Sequence, residues 1–258
     1  LISNPDFWTG AEPLKKLEKR ESCVVVMSGG QDSATCLFWA LARYELVHAI
    51  TFDYGQKHAV ELQAAEALVE FANGLEEAPR VKWRLVPLKS LKSISGDSSA
   101  LTGDIPVEAS GGHKNLPNTF VPGRNVIMLS LAGAYAVARG IPDIITGVCQ
   151  TDYSGYPDCR RVTIDAVQEA MRLGNDLLPG EFSILTPLMD LTKAETWDLL
   201  AESGDYRHIE AVLTLSHTCY EGDRVHFNPW GFGCGTCPAC ELREKGFTEW
   251  REKHEAND

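Results

Sequence analysis

The chain has 258 residues, and 44% of them are hydrophobic, which is enough for one sizeable α/β core with a small appendage. Its 36 acidic residues outnumber its 24 Lys and Arg, and the formal net charge of −12 argues against nucleic acid as a partner. No apolar run reaches the roughly 18 residues that a membrane span needs. The start of the chain lacks the basic-then-apolar order of a signal peptide, so we expect a cytoplasmic protein without a membrane segment.

Strand and helix patterns alternate along the first part of the chain. Cys23–Met27 is a continuous apolar, β-branched run that predicts a buried strand. The elements predicted there are, in order, a strand, a helix, a strand, a helix and a strand: Cys23–Met27, Ser33–Tyr44, Leu46–Phe52, Ala59–Asn73 and Val81–Val86. Gly74 is the expected stop of the second helix.

The alternation resumes after a long segment without periodicity. Ser90–Pro117 is rich in Ser, Gly and Pro, and it predicts a long functional loop. A helix, a strand, a helix, a strand and a helix follow: Val126–Arg139, Ile144–Gly147, Arg161–Leu173, Ser183–Thr186 and Thr192–Ser203. Thr192 is the expected N-cap of the last of these, with Glu195 completing a capping box. The order predicts a doubly wound parallel sheet that binds ligands beyond the carboxyl ends of its strands.

The segment Ser28–Ser33, which we call the phosphate loop, joins the first strand to the first helix. Its sequence is SGGQDS, in which the glycines let backbone N–H groups face an anion at the helix N-terminus. Ser28 and Ser33 can add hydroxyl donors, and Asp32 either holds a magnesium ion or caps the helix. A plain strand-to-helix turn is the alternative, but the full pattern favours phosphate binding. The nucleotide-binding residues predicted on this basis are Met27, Ser28, Gly29, Gly30, Gln31, Asp32, Ser33, Ala34, Thr35, Cys36 and Leu37.

Four of the eight cysteines have the spacing of a metal site. Cys234, Cys237 and Cys240 follow one another at intervals of three, and Cys219 precedes them, which favours a metal site in a reducing compartment over disulfides. Four thiolates suit a closed, structural zinc site, with an iron–sulfur cluster as the alternative. His217 and His226 are alternative ligands. Fourteen residues separate Cys219 from Cys234, and Glu221–Phe232 within that insert is expected to form a surface loop.

The phosphate loop resembles the PP-loop of ATP pyrophosphatases. Three further segments and the cysteine block resemble the QueC family, the 7-cyano-7-deazaguanine synthases: Thr51–His58, Asn118–Asn125 and Thr146–Arg160. The resemblance runs from about Cys23 to the last helix. It implies an N-terminal extension at 1–22, a PP-loop domain at 23–205, a zinc-binding helical segment at 206–258, and a homodimer.

The resemblance also implies a reaction. ATP would adenylate the carboxylate of 7-carboxy-7-deazaguanine with release of pyrophosphate, and ammonia would displace AMP to give the amide. A second ATP would activate the amide oxygen, and its loss would leave the nitrile, a precursor of queuosine. The chain shows no glutaminase domain, so free ammonia is the expected nitrogen source.

Site roles follow from the same resemblance. Asp32 would orient Mg²⁺, and Lys193, at a helix start, would neutralise the leaving pyrophosphate unless it is simply an exposed lysine. Arg124 would clamp a phosphate or the substrate carboxylate, with a buried ion pair as the alternative. The residues expected to bind the guanine-like edge and ring are Asp152, Tyr153, Asp158 and Arg160. Phe52 and Tyr54 either flank the ring or pack in the core, and His58 either moves protons or lies on the surface.

Three other functions fit parts of the pattern. A PP-loop enzyme that modifies tRNA would need a basic face, which the net charge of −12 argues against. A homologue that transfers its activated deazaguanine to another acceptor would share all of these motifs. A non-catalytic nucleotide- or zinc-binding module would bind ATP without turnover.

Overall fold

A computed structural model describes residues 19–75, 80–95, 99–103, 105–107, 116–150, 155–203 and 205–255. Within these ranges every helix is too short or too polar to cross a bilayer. Residues 1–18 of the predicted N-terminal extension and much of the predicted loop 90–117 lie outside the described residues, as do Asp152 and Tyr153. The last three residues of the predicted extension, 20–22, belong to the first strand.

The core is a five-stranded parallel sheet, as predicted, with the strand order β3-β2-β1-β4-β5. The strands are β1 (Arg20–Val26), β2 (Tyr44–Asp53), β3 (Arg80–Pro87), β4 (Asp143–Ile145) and β5 (Ser183–Leu185). The helices that connect and flank them are α1 (Gln31–Leu41), α2 (Val60–Gly74), α3 (Ser90–Ser95), α4 (Arg124–Val137), α5 (Arg161–Gly174), α6 (Lys193–Ala201), α7 (Tyr206–Leu215) and α8 (Pro238–Glu255). A small antiparallel hairpin, β6 (Phe227–Asn228) and β7 (Gly231–Phe232), precedes α8.

Both faces of the sheet are covered, which confirms the doubly wound architecture. Alternate residues of β1 point to opposite faces, because side chains alternate along a strand. Cys23 and Val25 join a core with α1, α2, α6, α7 and α8, whereas Val24 joins a second core with α4 and α5. All three side chains are fully buried, which explains the uninterrupted apolar run in the sequence.

Tyr44 is the clearest departure from the predicted elements. The sequence pattern places it at the end of the first helix, but α1 ends at Leu41 and Tyr44 opens β2. There it pairs in register with Arg20, and its buried hydroxyl donates a 3.0 Å hydrogen bond to Asp143. Arg20 forms an ion pair of 2.7 Å with the same carboxylate, so β1 also begins three residues earlier than predicted.

Four further elements were not predicted individually. The short helix α3 lies in the segment predicted as a loop, and α7 follows its N-cap Asp205, whose side chain accepts a hydrogen bond from the N–H of Arg207. The strands β6 and β7 lie in the insert Glu221–Phe232, which was expected to form a surface loop but buries Trp230. By contrast, the predicted capping box of α6 is present, with Thr192 and Glu195 bonded reciprocally.

The carboxyl-terminal helix packs against the α/β core. Trp250 and Phe247 of α8 lie against Trp197 of α6, with ring centroids 5.2 to 6.0 Å apart, and all three belong to the core cluster that contains β1. The predicted boundary at residue 205 therefore separates two segments that share one hydrophobic core.

Candidate active site and metal centre

A cleft of about 280 Å³ opens at the carboxyl edge of the sheet. After β1 the chain runs to the helices on one face of the sheet, and after the neighbouring strand β4 it runs to the helices on the other face. The two connections therefore diverge and leave a crevice between them. The wall contains the phosphate loop after β1, Phe52 and Tyr54 near the end of β2, and Thr146–Cys149 after β4. This is the position predicted for the ligand.

Two glycines allow the close approach of backbones that shapes the phosphate loop. Gly29 has φ +90, and a Cβ there would lie 2.3 Å from the carbonyl oxygen of Glu61 on α2. A Cβ at Gly147, after β4, would lie 2.9 Å from the backbone carbon of Asp32. The loop is therefore held between α2 and the β4 connection, and a side chain at either glycine would push it out of place.

Side-chain hydroxyls hold the phosphate loop in an open turn. Ser33 accepts hydrogen bonds from the N–H of Gly29 and the hydroxyl of Ser28, both at 3.1 Å, and donates to the carbonyl of Gly30 at 3.0 Å. The N–H of Gln31 points to the hydroxyl of Thr218 at 3.4 Å, outside ideal hydrogen-bond length. N–H groups held this loosely at a helix N-terminus can turn to an anion.

Asp32 and Lys193 form an ion pair at the floor of this loop. The Nζ of Lys193 lies 2.8 and 2.7 Å from the two carboxylate oxygens of Asp32, which is 161 residues away in sequence. Asp32 therefore does not cap α1, whose N-cap Gly30 has no side-chain cap. Only 10% of the Lys193 side chain is exposed, so it is not a surface lysine. The pair puts a cation beside the proposed phosphate site.

Helix α8 fixes the position of Lys193 through a glycine. A Cβ at Gly246 would lie 2.3 Å from the Cβ of Lys193 and 2.9 Å from its backbone carbon. We expect Gly246→Ala to force α8 and α6 apart, lowering the free energy of unfolding by about 2 kcal/mol and weakening ATP turnover. Thermal denaturation and an AMP assay test this. Gly174→Ala is the control, because a Cβ there has no atom within 4 Å, and it should leave both quantities unchanged or slightly raise stability.

Arg124, the first residue of α4, lies among aromatic rings on the opposite wall. Its guanidinium lies 5.7 Å from the ring centroid of Tyr54 and 5.9 Å from that of Tyr156. Burial works to lower the pKa of Arg124, but Tyr54, Tyr156 and Asp158 raise it above its ordinary value. None of the described residues pairs a carboxylate with it within 4 Å. Its Nη1 faces the hydroxyl of Tyr54 at 3.5 Å, and without a carboxylate partner in the described residues the guanidinium can still bind an anionic ligand, so the geometry does not support the alternative of a buried ion pair.

The four cysteines predicted as metal ligands converge beside the cleft. Their sulfur atoms all lie within 4.8 Å of one another, and none is in a disulfide. Gly235 has φ +76, and the N–H groups of Thr236 and Cys237 point to the sulfur of Cys234 at 3.5 and 3.3 Å. Hydrogen bonds among the thiols lower the pKa of Cys219 and raise the pKa values of Cys237 and Cys240. The close approach of the four sulfur atoms, with N–H groups facing that of Cys234, makes the cluster suited to bind a metal.

The donor set fits a single zinc ion. The sulfurs of Cys234 and Cys240 are 3.9 Å apart. A tetrahedral zinc with Zn–S bonds of about 2.3 Å gives sulfurs about 3.8 Å apart. An iron–sulfur cluster binds its cysteines through different irons, which requires wider spacing. His217 turns its Nε2 to the carbonyl of Cys219, and His226 pairs with Asp223, so neither histidine belongs to the ligand set.

The comparisons with known proteins give the family directly. A family model described as "Queuosine biosynthesis protein QueC" matches residues 22–251. The chain belongs to the QueC family. A protein of Caulobacter vibrioides (strain NA1000 / CB15N) named 7-cyano-7-deazaguanine synthase is 47% identical over 240 residues, which covers 90% of this chain and 94% of that protein. A Gluconobacter oxydans (strain 621H) protein of the same name is 46% identical over 236 residues, covering 90% and 94%.

A solved structure is also similar in part. The crystal structure of a 4-thiouridine synthetase–RNA complex with bound ATP matches with a TM-score of 0.47 and 18% sequence identity. The match covers 92% of this chain and 53% of the synthetase chain, so this QueC-family chain spans about half its length.

The predicted site residues fall into two groups in this QueC-family structure. Seven line the cleft: Met27, Ser28, Gly30, Gln31, Asp32, Ser33 and Arg124. The others that the structure describes lie behind or beside it. Ala34, Thr35, Cys36 and Leu37 are buried in α1, and Asp158 is buried and accepts a hydrogen bond from the N–H of Asn125. Arg160 is exposed and donates to the carbonyl of Gly155.

The residues with alternative interpretations are also resolved. Phe52 and Tyr54 are buried and also line the cleft. His58 is not a free surface histidine, because its ring lies against Gly222 and its buried Nε2 has no hydrogen-bond partner among the described residues. Cys149 and Cys159 lie on the cleft wall.

Several residues that line the cleft were not predicted from the sequence: Glu61, Tyr156, Thr218 and Tyr220. Tyr156 lies in the third segment that resembles the family, so the sequence could indicate that it lies near the site but not what it does there. Thr218 and Tyr220 flank Cys219, and only the fold brings the metal centre next to the phosphate loop. Glu61 follows the Thr51–His58 segment by three residues, on the first turn of α2.

Proposed function

We propose that this protein converts 7-carboxy-7-deazaguanine and ammonia into 7-cyano-7-deazaguanine, using ATP through adenylated intermediates with release of AMP and pyrophosphate. The observation that carries the proposal is one cleft lined by an anion-binding loop and Arg124, with Lys193 paired to Asp32 of that loop, in a chain 47% identical to proteins named for this product. A carboxylate is a poor electrophile, and an amide oxygen is a poor leaving group. Adenylation at one site solves both problems.

The residues of the cleft divide the work of adenylation. The N–H groups and hydroxyls of Ser28–Ser33 bind the β- and γ-phosphates of ATP at the N-terminus of α1. Lys193 stabilises the negative charge that grows on the departing pyrophosphate. Arg124 orients the substrate carboxylate for attack on the α-phosphate, because its paired N–H donors match a carboxylate.

The aromatic wall suits a flat heterocycle. The rings of Tyr54 and Tyr156 both lie within 6 Å of the Arg124 guanidinium, which places planar surfaces next to the carboxylate clamp. We assign the guanine-like edge of the substrate to Asp152, Tyr153, Asp158 and Arg160, of which the first two lie outside the described residues.

Two metal ions complete the proposed enzyme. Asp32 would hold Mg²⁺ through its carboxylate, and the ion would neutralise negative charge on the phosphates of ATP. Zn²⁺ bound by Cys219, Cys234, Cys237 and Cys240 has no open coordination position and is structural. The proposed enzyme takes free ammonia, acts in the cytoplasm as a homodimer and binds no nucleic acid.

The test is mass spectrometry of an incubation with ATP, Mg²⁺, ammonium and 7-carboxy-7-deazaguanine. Nitrile should appear with two AMP per product and should vanish in Asp32→Ala. AMP without amide or nitrile would mean that another acceptor takes the activated substrate. No AMP from zinc-loaded protein would refute the enzyme assignment.

A further inference from the structure

The carboxylate of Glu61 lies in the cleft with no assigned task. It is the second residue of α2, and its side chain lines the same cleft as Asp32 and Arg124. The turn that carries it packs directly on the phosphate loop, since a Cβ at Gly29 would lie 2.3 Å from the Glu61 carbonyl oxygen. The carboxylate interacts electrostatically with Arg124 and Tyr54, which line the same cleft, so it lies on the cleft side of the helix.

The surroundings of Glu61 leave its carboxylate unpaired in the described part of the chain. It makes no hydrogen bond or ion pair there, and Arg124 acts on it only through its electrostatic field. Burial raises the pKa of Glu61 to about 7, against the lowering effect of Arg124. Burial, together with the negative charge of Glu61, raises the pKa of Tyr54 to about 12. The other titratable groups on the cleft wall are Asp32, Cys149, Tyr156, Cys159, His217 and Tyr220.

The two histidines near the cleft are poorer bases. The Nε2 of His217 faces the carbonyl of Cys219 at 3.0 Å, and its Nδ1 is buried with no accessible surface. His58 does not line the cleft, and Gly222 covers its ring. Glu61 is half-buried and reaches the cleft, so it can meet a substrate proton.

We propose that Glu61 is the general base that removes N–H protons in both nitrogen-handling steps of the reaction. The inference rests on the proposed function. In the first step the lone pair of ammonia forms the C–N bond, and the C–O bond to AMP breaks with its electrons. The nitrogen arrives with three hydrogens, and the amide keeps two, so one proton passes to Glu61.

The second step needs the same base. The amide oxygen attacks the α-phosphate of a second ATP and displaces pyrophosphate. The nitrogen then loses both hydrogens as protons, their bonding electrons form the C≡N bond, and the C–O bond breaks with its electrons as AMP leaves. Glu61 takes these protons one at a time and releases each to solvent. Carbon and nitrogen keep their oxidation levels throughout, so no redox partner is involved.

Activation of the substrate carboxylate by ATP requires no proton removal. Loss of a general base should therefore spare this step, whereas loss of a structural residue should impair it. We expect Glu61→Gln to retain substrate-dependent exchange of labelled pyrophosphate into ATP, measured without ammonium, within about threefold of wild type. Nitrile formation should fall by about 100-fold or more, the range for loss of a general base. Glu61→Asp, which keeps the carboxylate, should recover part of the rate. Glu66→Gln, on the exposed face of the same helix, should keep both activities.

The pH profile gives a second readout. Starting from synthetic amide removes ammonium from the assay. The wild-type rate of nitrile formation should fall below about pH 7, because Glu61 must be ionised to accept a proton and its pKa is raised to about 7. In Glu61→Gln the residual rate should lack this acidic limb.

Two results would overturn the inference alone: a Glu61→Gln protein that makes nitrile at the wild-type rate, or one that loses pyrophosphate exchange in proportion to nitrile. In the second case the side chain supports the fold of the phosphate loop and is not a base. Wild-type protein that exchanges pyrophosphate but makes no amide or nitrile would instead overturn the proposed function and the inference with it.

Discussion

Lys193→Ala is expected to lower ATP-dependent AMP formation by about 100- to 1,000-fold, the cost of removing one donor that stabilises developing charge. Lys193 is the first residue of α6, where a cation is unfavourable because the helix dipole is positive at that end. Its Nζ is nevertheless held 2.7 Å from Asp32 on the phosphate loop. We infer that this position serves the pyrophosphate. Product analysis by chromatography, with ATP saturating, measures the effect.

The fold should survive the substitution. Lys193 is 10% exposed and Asp32 is 28% exposed, so loss of the lysine leaves a partly buried carboxylate unpaired and should cost about 1–3 kcal/mol, less than the stability of a typical domain. Lys253→Ala is the matched control: it removes a lysine of α8 that pairs with Asp198 of α6 at 2.6 Å, in an exposed position away from the cleft. It should stay within about twofold of wild-type activity. Equal losses in the two variants would show that α6 packing, and not the cation, is what Lys193 contributes.

The sheet could be predicted because its signals are local. A buried strand of a parallel sheet is apolar along its whole length, and Cys23–Val26 has that composition without interruption. The helix and strand patterns then alternate at the lengths of β-α units. Tyr44 was placed wrongly because aromatic residues suit both the end of a helix and the start of a strand. What decides its position is the hydrogen bond to Asp143, 99 residues away, which no local pattern contains.

The same distinction between local sequence signals and long-range contacts applies to the residues of the site. The phosphate loop and the CxxCxxC block are contiguous, so their chemistry is readable from spacing. The Asp32–Lys193 pair was anticipated only as two separate residues, since their contact depends on α8 holding α6 in place through Gly246. Glu61 was missed because an acidic residue in the first turn of a helix is ordinary. Only the packing of α2 on Gly29 turns it toward the cleft.

The metal centre is connected to the phosphate loop by three consecutive residues. The N–H of His217 donates to the carbonyl of Gly29 at 2.9 Å, and the hydroxyl of Thr218 faces the N–H of Gln31 at 3.4 Å. Cys219, the next residue, is a ligand of the cysteine cluster. A change in the metal centre therefore moves the backbone that supports the loop.

Arg243 supports this connection from α8. It is only 1% exposed, and its guanidinium donates to the hydroxyls of Ser216 and Thr218 and to the carbonyls of Val212 and Trp230. It lies three residues after Cys240 on the same helix, so its position depends on that ligand. Burial lowers the pKa of Arg243 to about 10, which still leaves it charged. Four thiolates on one Zn²⁺ carry a net negative charge, which a buried cation nearby stabilises.

Cys237→Ala should therefore abolish stoichiometric zinc and weaken ATP binding together. Structural zinc contributes about 10–16 kcal/mol of binding energy in small zinc domains. Loss of even several kcal/mol should lower the thermal midpoint by about 10 °C or more in a chain of this size. The affinity for ATP should fall about tenfold, within the usual range of coupling between two sites. Metal analysis, calorimetry and nucleotide titration measure the three effects.

Coupling between two binding sites is reciprocal, so the effect of ATP on zinc binding gives a sharper test than the effect of zinc on ATP binding. If zinc strengthens ATP binding through His217 and Thr218, then bound ATP must raise the affinity for zinc by the same factor, which equilibrium competition with a chelator measures. Cys23→Ala is the control: it removes a buried sulfur from β1 but not from the cluster, so it should keep its zinc and its affinity for ATP. A zinc-free Cys237→Ala protein that binds ATP as tightly as wild type would show that the phosphate loop holds its shape without the metal centre. The hydrogen bonds from residues 217 and 218 would then be a consequence of packing and not a link between the two sites.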